Sequence, residues 1–420
     1  MKLRKTRIFR GDRVIWVVFF LLSVISLVSV FSSVGLEART VGHRTEGQML
    51  LKHLGFVLAT YVAIIVLSQF KYRFFYKVSK LGYLFALVLV IVAFALGKMH
   101  PDSVGSGEAR WLAFGGAQFQ PSELVKVLLV LFTASILAKN RDFVADKYFF
   151  LILLGAIVAV VGFVAPENFS SGALIFIGCY IMLYLGGVNR KLWWALFLAG
   201  ALAVVLYMGI NYNRWVDYKE KLDSGVVEQV DRNPGRGLTW GHRIHSWLNP
   251  DTEEVSQENE ARMAIARGGF FGKHVGSTIH GRLMRGAHND FIYAVIIEET
   301  GMLGGILVFV LYAVFFLRCV RIAKRCDGEF GGLLVAGMGT MIYIQALVNM
   351  GVAVGALPVT GQTLPFISLG GSAYLFLGCG VGLIQAVAAE TDTGRHSKKA
   401  PVAVAEEPEQ SIDDETENNN

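Results

Sequence analysis

Long apolar runs alternate with short polar connections along this chain, and the length of the runs sets the class. About 20 apolar residues at 1.5 Å rise cross the ~30 Å hydrocarbon core of a bilayer. Ten such runs are read, at roughly 14–36, 51–69, 81–98, 122–138, 148–165, 170–187, 192–211, 290–317, 331–352 and 365–388. The expected fold is an all-α polytopic membrane protein with about ten transmembrane helices. The first run follows Lys2, Arg4, Lys5, Arg7, Arg10 and Arg13 and so begins like a signal peptide. It is too long for the apolar region of one, and no small-residue cleavage site follows, so it reads as a retained helix.

Basic residues give the orientation. They cluster at the N-terminus, at Lys71/Arg73/Lys77/Lys80, at Lys139/Arg141/Lys147, at Arg190/Lys191 and at Arg318/Arg321/Lys324/Arg325. Every second connection carries a cluster, whereas the short loops between them hold only Arg39, Arg44 and Arg110. By the positive-inside rule both termini are cytoplasmic. The expected organisation is a basic cytoplasmic N-terminus at 1–13, a transmembrane domain at 14–389, and a disordered polar tail at 390–420. No block of 20–50 residues repeats. The large connection between the seventh and eighth helices, 212–289, falls outside the cytoplasm. Its Trp215, Trp240, Trp247, Ile265, Phe270 and Phe271 predict that it folds back onto the membrane face.

Composition sharpens this picture. Of the 420 residues 54% are hydrophobic and 17% charged, against a usual ~25% charged, which excludes an ordinary soluble chain. The 46 glycines suit close helix–helix contacts in lipid. A formal charge of +6 does not point to nucleic acid, because the cations lie in short clusters between apolar runs. The four cysteines show neither metal-ligand spacing nor a disulfide framework.

Ionisable groups inside spans are costly and are candidates for function. Glu123 and Lys126 share one face at i,i+3 after Gln120-Pro121-Ser122, with Pro121 suited to a first turn and Ser122 a possible cap. They form either a structural ion pair or a pair lining a polar cavity. Asp290 opens the eighth run after Arg282, Arg285, His288 and Asn289. It is either a helix N-terminal acid or a carboxylate beside an anionic group, an arrangement that would also suit Mg²⁺. Glu298, eight residues on, stands ~12 Å along the helix axis from Asp290, too far for a two-carboxylate retaining mechanism. Sugar chemistry here would use one carboxylate base. Gln345 and Asn349, at i,i+4, read as hydrogen bonds between helices. The Gly268–His274 stretch lacks Walker A spacing, and His242/His245 lack an HExxH context.

Four segments resemble the SEDS family (shape, elongation, division and sporulation). Gly107-Glu108-Ala109-Arg110-Trp111-Leu112 with Phe119-Gln120-Pro121-Ser122-Glu123-Leu124-Val125-Lys126 resembles GARRWI…FQPSELxK. Ala266–Lys273 resembles AIGSGGxxGKG. His288-Asn289-Asp290-Phe291-Ile292-Tyr293-Ala294-Val295 with Glu298-Glu299 resembles HTDFIFAVxxEE. Leu357–Ser372 resembles LPxTGxxLPFxSyGGS. The likeness covers essentially the whole membrane region, in order.

The resemblance implies a peptidoglycan glycosyltransferase that polymerises lipid II outside the cytoplasmic membrane. Undecaprenyl pyrophosphate would be released, and a class B penicillin-binding transpeptidase would be the partner alongside other division proteins. It places the catalytic and metal-binding aspartate on Asp290, the metal being Mg²⁺ or Mn²⁺. Substrate contacts fall on Glu123, Lys126, Arg110 and Arg243, and on Lys273, His288 and Ser368. The polar tail leans toward the division branch, at the septum of a bacterial inner membrane, rather than the elongation branch; a lipid II flippase is the alternative function. Two departures stand out. The family's QPDFGTA is here Ala165-Pro166-Glu167-Asn168-Phe169-Ser170-Ser171-Gly172-Ala173, with its aspartate replaced by Glu167 or Asn168. Its GYQ reads Val255-Ser256-Gln257.

Overall fold

A computed structural model describes residues 8–33, 46–99, 112–114, 117–224, 235–249, 257–280 and 289–398. Its described part is helical apart from one hairpin. In chain order the elements are α1 (Arg13–Ser33), α2 (Glu46–Gln69), α3 (Tyr72–Met99), β1 (Leu112–Phe114), β2 (Ala117–Phe119), α4 (Pro121–Lys139), α5 (Lys147–Val164), α6 (Phe169–Leu185), α7 (Arg190–Asp223), α8 (Gly235–Leu248), α9 (Gln257–Gly268), α10 (Ile292–Arg325), α11 (Glu329–Ala353) and α12 (Gly371–Lys398). Among the described residues nine helices are long and apolar enough to cross a membrane, and α6 is a shorter apolar helix. These ten coincide with the ten runs read from the sequence. The antiparallel hairpin pairs Leu112 with Phe119 and leads directly into α4.

The centre of the bundle is built from α4, α11 and α12, whose apolar windows are mostly buried, while that of α7 is not buried at all. Lys126, Gln345, Asn349, Tyr312 and Tyr374 are all at most 2% exposed, so the core carries polar groups that must pair within it. The longest contacts run between α12 and α2, α10 and α11, and α3 and α4. Exposed Leu, Val, Ile and Phe side chains on α2, α3 and α7 suit lipid contact.

One end of the bundle is tied by charges. Asp12 accepts from the Arg318 guanidinium and caps α1 through the amides of Val14 and Ile15. Gln385 of α12 accepts from the Asp12 amide at 2.8 Å and donates to its carbonyl at 3.1 Å. Arg141 pairs with Glu329 at 3.0 Å. These residues flank the basic clusters, so this is the end that the charge rule assigns to the cytoplasm.

The spans differ from the sequence reading at three places. α7 continues as helix to Asp223, 34 residues in all, so about 51 Å of helix projects well past a ~30 Å core. Hydropathy falls after residue 211 while helix propensity does not, which hides the extension. α10 is also 34 residues long but breaks at Gly301, where φ is +73° and ψ −174°. The last span starts at Gly371 rather than 365, because Pro358, Gly361 and Pro365 interrupt helix and leave 354–370 as an apolar loop packed into the bundle.

Candidate functional site

The loop between α11 and α12 is where the polar groups of the opposite end converge. Its carbonyl oxygens are held one by one: Val359 by Arg243 Nη1 (3.1 Å), Thr360 by Ser170 Oγ (2.7 Å), Gln362 by Asn349 Nδ2 (2.7 Å) and Thr363 by Gln345 Nε2 (3.1 Å). Tyr312 donates to Pro365 and Ser26 to Ile367 (2.7 Å). Irregular backbone at membrane depth persists only when its polar groups are satisfied by protein or face a cavity, and these side chains do that here. Phe366 holds φ +61°, a left-handed value that such an over-determined loop can sustain.

Two candidate groups flank this loop. Lys126 Nζ lies 2.7 Å from Glu123 Oε1 and donates at 2.8 Å to Gln345 Oε1, with both charged side chains almost fully buried. Glu123 Oε2 and Ser122 Oγ are buried without hydrogen-bond partners among the described residues. Ser122 therefore does not cap α4; Gln120 occupies the cap position without a side-chain bond, and Pro121 fills the first turn as expected. Ser122 instead lines a small open cleft with Val90, Phe94, Phe163, Glu167 and Asn168.

On the other flank, Asn289 and Asp290 form the turn that starts α10. The Asp290 carbonyl accepts from Asn349 Nδ2 at 2.9 Å, and the Asn289 carbonyl accepts from Ser368 Oγ at 2.6 Å. Ser368 Oγ in turn accepts from the Leu364 amide at 2.8 Å. Ser368, 2% exposed, thus staples the turn to the loop through backbone. Arg243 on α8 reaches the same loop, its guanidinium 5.5 Å from the centre of the Trp240 ring.

Other candidates fall elsewhere. Arg110 and His288, with Arg282 and Arg285, lie outside the described residues. Lys273 is exposed, and its amide donates at 3.1 Å to the Glu298 carbonyl, two helical turns from Asp290. It belongs to the glycine loop docked on the α10 kink. There Glu298 accepts from Arg267 (2.5 Å), Thr278, and the amides of Ile279 and His280 (3.0 and 3.3 Å). Glu299 accepts from Ser32 and the Gly276 amide. The two buried glutamates fasten the outer loop instead of forming a carboxylate dyad. Gly272 (φ +81°) and Gly301 (φ +73°) let the two backbones meet, since a Cβ would stand 2.1 Å from the Glu299 carbonyl or 2.3 Å from that of Phe270.

The two residues that could replace the family's aspartate lie in different places. Asn168 caps α6 by accepting from the Ser171 amide at 3.1 Å, and Glu167 lines the cleft between α3 and α5. Ser170 and Ser171 bind the loop through Thr360 and Gln362. The sequence reading missed these two serines and Gln362. The available signal was a polar cluster opening an apolar run, opposite the polar residues of a Pro/Gly-interrupted one.

A divalent cation has a limited donor set here. Among the described residues no three His, Cys, Asp or Glu side chains converge. A single carboxylate, that of Asp290, fits an ion of the Mg²⁺ type whose other oxygens come from substrate phosphate and water.

The architecture defines a polytopic helical membrane protein whose polar site gathers at the end opposite its basic clusters. The family model described as "Cell cycle protein", which covers FtsW, RodA and SpoVE, matches residues 12–393, and the chain belongs to that family. Similar curated proteins include the "Probable peptidoglycan glycosyltransferase FtsW" of Geobacter sulfurreducens, 30% identical over 89% of this chain and 94% of that protein. The protein of the same name from Bacillus subtilis is 28% identical over 90% and 91%. Among solved structures, the rod shape determining protein RodA of Thermus thermophilus aligns with TM-score 0.63 at 20% identity, covering 91% of this chain and 97% of that one. A chain of a peptidoglycan synthase complex, whose structure concerns coordination of polymerization and crosslinking, aligns with TM-score 0.66 at 22% identity, over 91% and 98%. The fold is that of these proteins.

Proposed function

We infer that the chain is a peptidoglycan glycosyltransferase of the division type, joining lipid II units into glycan strands at the outer membrane face. The observation that carries this reading is the Asn289–Asp290 turn, clamped by Asn349 and Ser368 at the end opposite the cytoplasmic clusters. In the reaction, Asp290 takes the proton of the acceptor sugar's 4-hydroxyl as that oxygen bonds to the anomeric carbon of the donor. The bond to pyrophosphate breaks on the opposite face, its electron pair leaves with undecaprenyl pyrophosphate, and the α-linkage becomes β. Arg243, which reaches the loop beside this turn, supplies positive charge toward the leaving group. Lys126 is committed to Glu123 and Gln345, so its part is to fix the wall of the cavity. Bound Mg²⁺ or Mn²⁺ would neutralise pyrophosphate charge next to Asp290.

The FtsW names of the relatives support action at the septum, and the synthase-complex neighbour supports a class B penicillin-binding transpeptidase as partner. A flippase would need polar groups along a path to the cytoplasmic half, whereas those that converge on the Asn289–Asp290 turn sit at the opposite end. The test is polymerisation of purified lipid II with and without that transpeptidase, under moenomycin and penicillin to remove classical synthases and crosslinking. Wild type makes glycan and Asp290→Ala does not. Equal polymer from both would overturn the assignment. Absence of polymer with lipid scrambling in vesicles would replace it by transport.

A further inference from the structure

Asn349 sits in the last turn of α11 and is 1% exposed. Its Nδ2 makes two bonds, to the carbonyls of Asp290 (2.9 Å) and Gln362 (2.7 Å). Both partners are carbonyl oxygens, which only accept, so the amide has one possible orientation: nitrogen toward them, oxygen away. That oxygen, Oδ1, is buried and has no hydrogen-bond partner among the described residues. Asn289 Oδ1, in the turn that Asn349 holds, is in the same condition. A buried amide oxygen without a donor is destabilising, and two at one turn beside a candidate base point to a ligand that brings donors.

The chemistry of that ligand follows from the sign of the site. Amide oxygens pair with O–H and N–H groups and repel phosphate oxygens. The C-terminal end of α11, one turn beyond Asn349, carries the negative end of the helix dipole and disfavours an anion further. The sugar hydroxyls and N-acetyl N–H of an amino sugar fit here, and a pyrophosphate does not. We propose that Asn349 is a positioning residue for transfer at Asp290, its Nδ2 fixing the Asp290 main chain and its Oδ1 binding the amino sugar beside Asn289. This rests on the glycosyltransferase reading. It adds that the sugar lies against the end of α11, with the pyrophosphate turned away from it.

Two variants separate the halves of the proposal. Asn349→Asp keeps an acceptor but turns an oxygen toward both carbonyls, releasing Asp290. Asn349→Leu removes both functions. Full-length protein with its transpeptidase partner is assayed on lipid II, and kcat and KM are measured with thermal stability. Asn349→Asp is expected to lose at least 10-fold in kcat with KM little changed, and Asn349→Leu to lose kcat and raise KM several-fold. Inhibition by added undecaprenyl pyrophosphate stays at the wild-type level in both. Gln385→Leu is the structural comparison, because Gln385 is also fully buried and holds the Asp12 main chain, but at the cytoplasmic end. It lowers stability without changing kcat or KM. Wild-type kcat in Asn349→Asp, or a kcat loss no larger than the Gln385 comparison gives at equal stability loss, overturns the positioning role. Weakened undecaprenyl pyrophosphate inhibition in Asn349→Leu overturns the sugar assignment. The underlying reading is judged separately, by whether Asp290→Ala makes polymer.

Discussion

Gln345 and Asn349 stand one helical turn apart on α11 and hold opposite flanks of the same loop: Gln345 bonds Lys126 and Thr363, Asn349 bonds Asp290 and Gln362. The i,i+4 spacing that reads as ordinary helix–helix hydrogen bonding therefore sets the register between the buried Glu123–Lys126 pair and the Asp290 turn. A shift of α11 along its axis would carry both flanks with it. The site is built by a rigid central helix with the functional groups on its neighbours, which suits a reaction that needs fixed geometry.

The Glu123–Lys126 pair gives the first prediction. Both charges are out of solvent, and Lys126 has no second carboxylate among its bonds. Removing one member leaves the other charge buried and uncompensated, a loss of about 3–5 kcal/mol. Lys126→Met is expected to lower thermal stability strongly. The Glu123→Gln, Lys126→Met double variant recovers most of that loss, because no charge is stranded. Stability is read by thermal unfolding in detergent. A double variant as unstable as Lys126→Met would show that packing, not charge, sets the loss.

The outer loop gives the second. Glu298 ties together Arg267, Thr278, Ile279 and His280, and Gly272 and Gly301 permit the backbone contact beneath them. Gly301→Ala places a Cβ against the Phe270 carbonyl and forces a left-handed φ on alanine, a cost of about 1–3 kcal/mol localised at the kink. Glu298→Ala strands Arg267 and frees the same loop. Both variants are expected to raise protease cleavage within 268–280 several-fold while the cytoplasmic end stays resistant. Unchanged cleavage would show that the loop is held by other contacts.

Much of this was readable in the chain. The ten apolar runs give ten helices, because hydropathy and span length are the same physical requirement. Asp290, Ser368, Glu123, Lys126 and Arg243 do meet around one loop. What escaped was connection through the backbone. Ser368 reads as a substrate contact, yet its hydroxyl is occupied by Asn289 and Leu364. Lys273 reads as a substrate contact, yet it is exposed on the glycine loop, whose backbone docks at Glu298. Sequence pattern marks residues that lipid would reject, but it does not say whether the partner is a ligand or a main-chain carbonyl. The start of α12 was misplaced for a related reason. Pro365–Gly370 is as apolar as a span, and Pro365 and Gly370, not hydropathy, set the helix boundary.

Metal dependence gives the last prediction. Among the described residues no three His, Cys, Asp or Glu side chains converge, so with Asp290 as its one carboxylate ligand the protein alone would bind Mg²⁺ or Mn²⁺ weakly. The cation is expected to bind with the pyrophosphate substrate rather than before it. Chelator should abolish polymerisation at once, without a change in thermal stability, and excess Mg²⁺ should restore it fully. Raising lipid II should lower the Mg²⁺ needed for half-maximal rate, since each ligand completes the other's site. Asp290→Asn keeps the bond from Asn349 to the main-chain carbonyl of residue 290 but removes the anionic ligand and the base. Its activity is expected to fall by at least about 100-fold, the usual reach of a positioned general base, at every Mg²⁺ concentration. Recovery of Asp290→Asn at high Mg²⁺ would instead assign the carboxylate to metal binding alone and leave proton removal to another group.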